Sequence, residues 1–316
     1  MFNRESFFNR TMTEPLAYLN GEFIPAKNAS ISVEDAGFVQ GTTVAEQLRS
    51  FGGELFRLEQ HLDRLIRSLD VIQVDAGMKR ADFVQIAERL ARHNHQLLKQ
   101  SDDLGLSIFV TPGVYNTFAT GPSEPLVGMH TYPIPFHLWN DKYDNGQPLV
   151  ITDIKQVPEA CWSPALKCRS RMHYFLADRM AQKVDPKARA LLLDTNGFVT
   201  EASTASIVIY RADLGLVAPP VEKILPGISL RTLKELALQN DIPFLHRDIA
   251  PQDVVSADEA ILCSTSPCLL PATSLDKQPI GKGESGPVFN TMLASWSEMV
   301  GIDIRQQAHD FANRVQ

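Results

Sequence analysis

Cysteine is scarce. The 316 residues hold four, Cys161, Cys168, Cys263 and Cys268, none in a CxxC pair and none near a His-rich segment with zinc spacing. A disulfide framework and a zinc module are therefore not expected, and no metal ligands are assigned. Free thiols in a reducing, cytoplasmic setting are the simplest reading. Long apolar runs are missing too: none approaches the roughly 20 residues a membrane helix needs, so no membrane partner is expected. The start, MFNRESFFNRTMTEP, has no continuous apolar stretch. Residues 1–16 are expected to be a polar extension rather than a signal peptide. Charge of one sign is also lacking. The 30 Lys and Arg and 37 Asp and Glu are interspersed, for a net charge of −7. No basic stripe could replace phosphate counterions, which argues against a nucleic-acid partner and leaves a small molecule.

The composition is that of an ordinary globular protein, 44% hydrophobic and 21% charged. A chain of this length exceeds the size at which one core stops growing, so two domains are expected. Asn20-Gly21 signals a hairpin over 17–24, and Gly52-Gly53 another within 42–58. Leu62, Leu65, Ile66, Leu69 and Ile72 recur at helical intervals over 59–74. A second helix is expected over 80–99, with Phe83, Ile86, Leu90 and Leu97 on one side, then a strand over 105–111. Residues 17–136 read as a small α+β domain, 137–148 as a linker at the end of a stretch (112–148) with many Pro, Gly, Asn and aromatic residues, and 149–316 as a larger domain. In that domain strands are expected at 149–156, 189–194, 198–200, 205–210, 214–217, 242–249 and 258–264. Helices are expected at 170–184, 227–240 and 286–300, with a helical turn at 251–255.

Several residues can carry chemistry. GKGESG at 281–286 matches G-x-G-x-x-G, but too little chain follows it for a dinucleotide-binding unit, so it reads as a turn before the last helix. Lys167 follows the strand LVITDI and a Trp162-Ser163-Pro164 turn, ahead of a helix. Partial burial and a helix N-terminus both lower a lysine's pKa, as a nucleophilic amine requires. Glu201, in NGFVTEAST, is either a strand-end carboxylate or a partner for a protonated heterocycle. Arg64, in HLDRL, is either solvated or a planar fork for a phosphate. Pro226-Gly227-Ile228-Ser229 opens a helix with free N–H groups, and Ser264-Thr265-Ser266-Pro267 ends a strand with hydroxyls. Both suit a phosphate.

In this order these segments resemble the fold-type IV pyridoxal-phosphate (PLP) enzymes: branched-chain aminotransferases, D-amino-acid aminotransferases and aminodeoxychorismate lyases. The likeness runs from about residue 17 to about 300, through YLNGEFIP, DAGFVQGTTVAEQLR, FRLEQHLDRL, LKCRSR, LLLDTNGFVTEAST, LPGIS, CSTSP and GKGESGP. It implies a two-domain α+β fold, with a small N-terminal domain and a larger C-terminal one holding a barrel-like sheet. PLP would lie between them, in a homodimer. It places the Schiff-base role on Lys167, the pyridinium carboxylate on Glu201, and phosphate binding on Arg64, Ile228, Ser229, Thr265 and Ser266. Gln40, Ala45, Gln47, Arg171 and Tyr174 are implied pocket residues.

The sequence also departs from these families. Ser206 stands where an Asn is usual, and Met172 where branched-chain enzymes place a tyrosine. Ala45 replaces a bulky aromatic, and Arg171 matches the lyase pattern K-x-x-x-R. The resemblance implies transamination between an amino acid, branched-chain or related, and a 2-oxo acid. A pyruvate-releasing aminodeoxychorismate lyase is the alternative, and a PLP-binding protein without catalysis a third.

Overall fold

Asn20 and Gly21 both take positive φ, 42° and 93°, so the first two strands meet in a two-residue turn of the twist hairpins favour. The computed structural model describes residues 13–121 and 123–314. Residues 1–12, most of the expected extension, lie outside the described residues. The chain divides into two units, Met1–Ile134 and Pro135–Gln316.

The first unit contains β1 (Leu16–Leu19), β2 (Glu22–Pro25), a turn of helix α1 (Ala36–Val39), β3 (Val44–Phe51) and β4 (Glu54–Leu55). Helices α2 (Leu58–Ile72) and α3 (Arg80–His95) follow, then β5 (Leu104–Thr111) and β6 (Leu126–Pro133). The strands form one six-stranded sheet in the order β2-β1-β6-β5-β3-β4. Strand β6 lies inside that sheet, although no sequence signal marks 126–133 as a strand. Its apolar pattern is diluted by Gly128, His130 and Thr131. The glycine is required there: it faces Phe109 across the β5–β6 ladder, and a Cβ would run into that ring. Leu62, Leu65, Leu69, Phe83 and Leu90 are buried. The expected apolar side of α3 needs one correction. Leu97 falls beyond the helix and is 40% exposed, and Ala87 and Ala91 take the buried positions.

The second unit includes α4 (Lys142–Asn145), in the stretch expected to be linker, and β7 (Gln147–Ile151), which starts two residues before the expected strand and ends five residues short of its expected end. It continues through α5 (Met172–Val184), β8 (Arg189–Leu193), β9 (Val199–Ala202), β10 (Ala205–Arg211), β11 (Gly215–Ala218), α6 (Ile228–Gln239), β12 (Phe244–His246) and α7 (Pro251–Val255). Then come β13 (Glu259–Ser264), β14 (Cys268–Leu275), β15 (Gln278–Pro279), α8 (Pro287–Val300) and α9 (Ile304–Asp310). The path β10-β13-β14-β7-β8-β9 returns to β10 through a β9–β10 pairing, so six strands close on themselves. This is the barrel-like sheet the resemblance implied. Strand β14 is missing from the sequence-based expectation because Pro271 argues against a central strand. The structure accommodates it: β14 pairs with β13 through Pro271, but its pairing with β7 begins only at Ala272.

Candidate active site

Glu201 stands on β9, which Asn196-Gly197 turns back against β8. All four β9 residues are buried, Glu201 to 5% exposure. Its Oε2 accepts hydrogen bonds from Gln156 Nε2 and from the Tyr174 hydroxyl, both at 3.1 Å. Its Oε1 accepts the Leu225 backbone N–H at 3.2 Å. Donors from three separate segments thus converge on one buried carboxylate, which is how a carboxylate is kept charged away from water. Burial pushes the Tyr174 phenol well above its ordinary pKa, and the Glu201 charge adds to this. The phenol is therefore a neutral donor across the physiological range. Gln156 Oε1, buried in the same cluster, has no partner among the described residues.

Other expected residues gather near Glu201. Ser206 is its cross-strand neighbour in the β9–β10 ladder. Ser206 Oγ also crowds Gly227, where an added Cβ would lie 3.0 Å from it. Gly227 is the residue before α6, and no side chain caps that helix. The first-turn N–H groups of Ile228 and Ser229 therefore have no side-chain cap, although both residues are buried. Ser264 Oγ donates to Thr204 O at 3.3 Å, which joins the Thr265-Ser266 turn to the β9–β10 hairpin. The arrangement is a buried carboxylate, an uncapped helix start and a hydroxyl-bearing turn. That is the donor and acceptor set PLP needs: a carboxylate for the ring nitrogen, and N–H and O–H groups for the phosphate.

Lys167 lies half-buried in the irregular segment between β7 and α5. The helix starts at Met172, five residues later, so the expected action of its N-terminus on Lys167 falls away; such effects fade within one turn. The segment is held by a turn, Leu166 N–H to Ser163 O at 3.0 Å, and by Arg171, whose Nε donates to Cys168 O at 3.3 Å. Met172 is 69% exposed.

In the first unit, Arg64 is 3% exposed and forms a two-point pair with Glu46, Nε to Oε1 at 2.7 Å and Nη2 to Oε2 at 2.8 Å. His61 Nδ1 lies 2.7 Å from the same carboxylate. Burial works to raise the Glu46 pKa, but the charge and hydrogen bonds of Arg64, then those of His61, outweigh it and hold the carboxyl well below its usual range. Ala45, next to Glu46 on β3, is buried opposite Phe109 of β5. Gln47 is half-buried, and Gln40 ends α1 in an exposed position. Sequence reasoning misses Glu46, His61 and Gln156. Glu46 does leave a signal: it is a carboxylate at a buried position of a strand, where charges are rare unless paired.

A model of the family "Amino-transferase class IV" matches residues 43–275. That is well over half the chain, and the protein belongs to this family. Class IV aminotransferases are PLP enzymes. D-alanine aminotransferase of Staphylococcus haemolyticus is 26% identical over 291 residues, covering 90% of this chain and 97% of that protein. The Staphylococcus aureus (strain N315) D-alanine aminotransferase is 28% identical over the same shares. In fold, the T.th. branched-chain amino acid aminotransferase with pyridoxamine 5'-phosphate matches with a TM-score of 0.82 at 21% identity, over 91% of this chain and 95% of that one. The Escherichia coli branched-chain amino acid aminotransferase gives 0.81 at 20%, over 91% and 94%. The chain is thus an aminotransferase-family enzyme of the two-domain α+β type, and the lyase alternative is not favoured.

Proposed function

We propose that this protein transfers the amino group of an amino acid, branched-chain or related, to a 2-oxo acid, with Lys167 as the cofactor-bearing lysine. The observation that carries this is Glu201: a buried carboxylate held by donors from three segments, beside an uncapped helix start. Bound PLP would supply an electron sink for the substrate's Cα–H bond. The Lys167 amine would hold the cofactor covalently and, once released, move the proton at the substrate Cα. Glu201 would keep a proton on the ring nitrogen, with Gln156 and Tyr174 fixing its orientation. Ile228, Ser229, Thr265 and Ser266 would hold the phosphate. The family resemblance adds Arg64, oriented by Glu46, as a guanidinium for the same group.

A second reading of the substrate is D-alanine, favoured by the staphylococcal relatives. Pocket residues on this proposal are Gln40, Ala45, Gln47 and Arg171, where the small Ala45 leaves room for a larger side chain. The test is to add single amino donors (L-leucine, L-valine, D-alanine) to the purified yellow protein and follow loss of its visible band. Conversion with at least one donor, absent in Lys167→Ala, is expected. Conversion by none, with pyruvate released from aminodeoxychorismate, would overturn the reading.

We further propose a homodimer in a reducing compartment. Met172 and Phe175 of α5, 69% and 62% exposed, and Phe38, 72% exposed, are large apolar groups of the kind that partners cover. The buried Cys263 and Cys268 thiols are free. Among the described residues, no helix is long and apolar enough to cross a membrane.

A further inference from the structure

The second unit contains an open cleft of about 590 Å³ that shares no residue with the Glu201 cluster. It is formed where α4 runs into β7, where β8 begins, and along one side of α5. Three cations line it: Lys142, Lys187 and Arg189. Asp141 and Asp178 are the acidic residues in the lining. The Asp178 carboxylate is already engaged, since its Oδ1 accepts from the Ala190 N–H at 3.0 Å and the Ser203 hydroxyl at 2.6 Å.

Among the described residues, two buried polar atoms of this lining have no partner. Arg189 Nη1 is enclosed and donates to nothing. Gln147 is 1% exposed; its Nε2 donates to Lys187 O at 2.7 Å, but its Oε1 accepts from nothing. A guanidinium donor and an amide acceptor left open in one cleft are expensive, because each gave up its water without replacement. The cations also oppose each other. Burial lowers the Lys142 pKa and the Arg189 charge lowers it further, with Asp141 compensating only in part. Burial likewise lowers that of Arg189, opposed by Asp178.

We infer that this cleft binds a small oxyanion, phosphate or carboxylate, that also carries an adjacent O–H donor. The anion would face Arg189 and Lys142, and the O–H would donate to Gln147 Oε1. Both open atoms are then satisfied by one ligand, and the repulsion between the cations is relieved.

The test uses the holoenzyme, so that the cofactor's own phosphate fills the site near α6. Binding is measured by calorimetry and by thermal shift at constant ionic strength. Inorganic phosphate and malate carry the O–H, whereas sulfate and succinate are like-shaped anions without it. Saturable binding is expected for phosphate, malate or both, each tighter than its O–H-free counterpart. The pair that responds identifies the ligand as a phosphate or a hydroxy acid. Arg189→Met should weaken that binding by about tenfold or more, the loss expected for one charged hydrogen-bond partner. Without added anion, the same variant should melt no lower than the parent, since it removes a buried cation with an unsatisfied donor. Amino transfer should be unchanged, which separates this site from the proposed cofactor site. Lys142→Gln, a change at a half-buried position that keeps much of the side chain's bulk, gives an independent reading and should also weaken binding. The inference is overturned if the response is unsaturable, if both variants bind phosphate and malate like the parent, or if sulfate and succinate bind as tightly.

Discussion

At Tyr174 a single hydroxyl donates to the carboxylate on which the proposed chemistry depends. Tyr174→Phe removes that donor and leaves those of Gln156 and Leu225 in place. The ring keeps its place, so the fold should survive. Cofactor should stay bound while turnover falls by about tenfold, the scale of one charge-assisted hydrogen bond. The visible band's pH dependence should shift as well, which a purely structural role for Tyr174 would not produce. Unchanged turnover and an unchanged band would remove Tyr174 from the positioning network. At Glu46 the expected effect is on stability. Glu46→Gln takes the carboxylate's charge away from the buried Arg64 guanidinium, a loss on the order of 3 kcal/mol near neutral pH in urea titrations. The Glu46 carboxyl is depressed in the folded state, so its contribution is fully present above the unfolded value of about 4.3. It is lost as pH falls through the lower folded value. The gap between parent and variant should therefore be constant above about pH 5 and narrow in acid. A gap that widened in acid would contradict the pairing.

Among the elements, α8 shows how a strand can cap a helix far away in sequence. The helix starts at Pro287 after Gly286, with no local side-chain cap. Glu259, at the start of β13, supplies both missing acceptors: its Oε1 takes the Val288 N–H and its Oε2 the Phe289 N–H, each at 2.8 Å. Burial raises the Glu259 pKa even so, with the two backbone hydrogen bonds opposing it. Glu259→Ala should cost about 1–2 kcal/mol, as loss of an N-cap does, measured as a lower urea midpoint with unchanged slope. No measurable change would mean that water replaces the carboxylate at no cost.

For the whole molecule, the proposed homodimer predicts a species of twice the 35.1 kDa chain in sedimentation. Phe175→Glu on α5 would place a charge on an apolar, exposed site, 62% accessible in the single chain. It should shift the equilibrium toward monomer while far-UV circular dichroism stays unchanged. A parent protein that sediments as a monomer at micromolar concentration would end the proposal.

Much of the architecture was legible because it follows from local rules. Asn20-Gly21 and Gly52-Gly53 close hairpins through positive φ, and α2 shows its buried stripe as a helical period. The ordered segments around Arg64, Lys167, Glu201, Ile228 and Thr265 pointed to the family that the comparisons show. Strands β6 and β14 were not legible, since Gly128 and Pro271 make sense only beside Phe109 and the β7 register. Nor could the sequence pair Glu46 with Arg64, set Tyr174 and Gln156 on Glu201, or open a cleft around Arg189. Residue types and local spacing determined the elements and the candidate chemistry. Which polar side chains share a carboxylate, and which are left without a partner, was decided by tertiary packing, because those contacts join segments tens of residues apart.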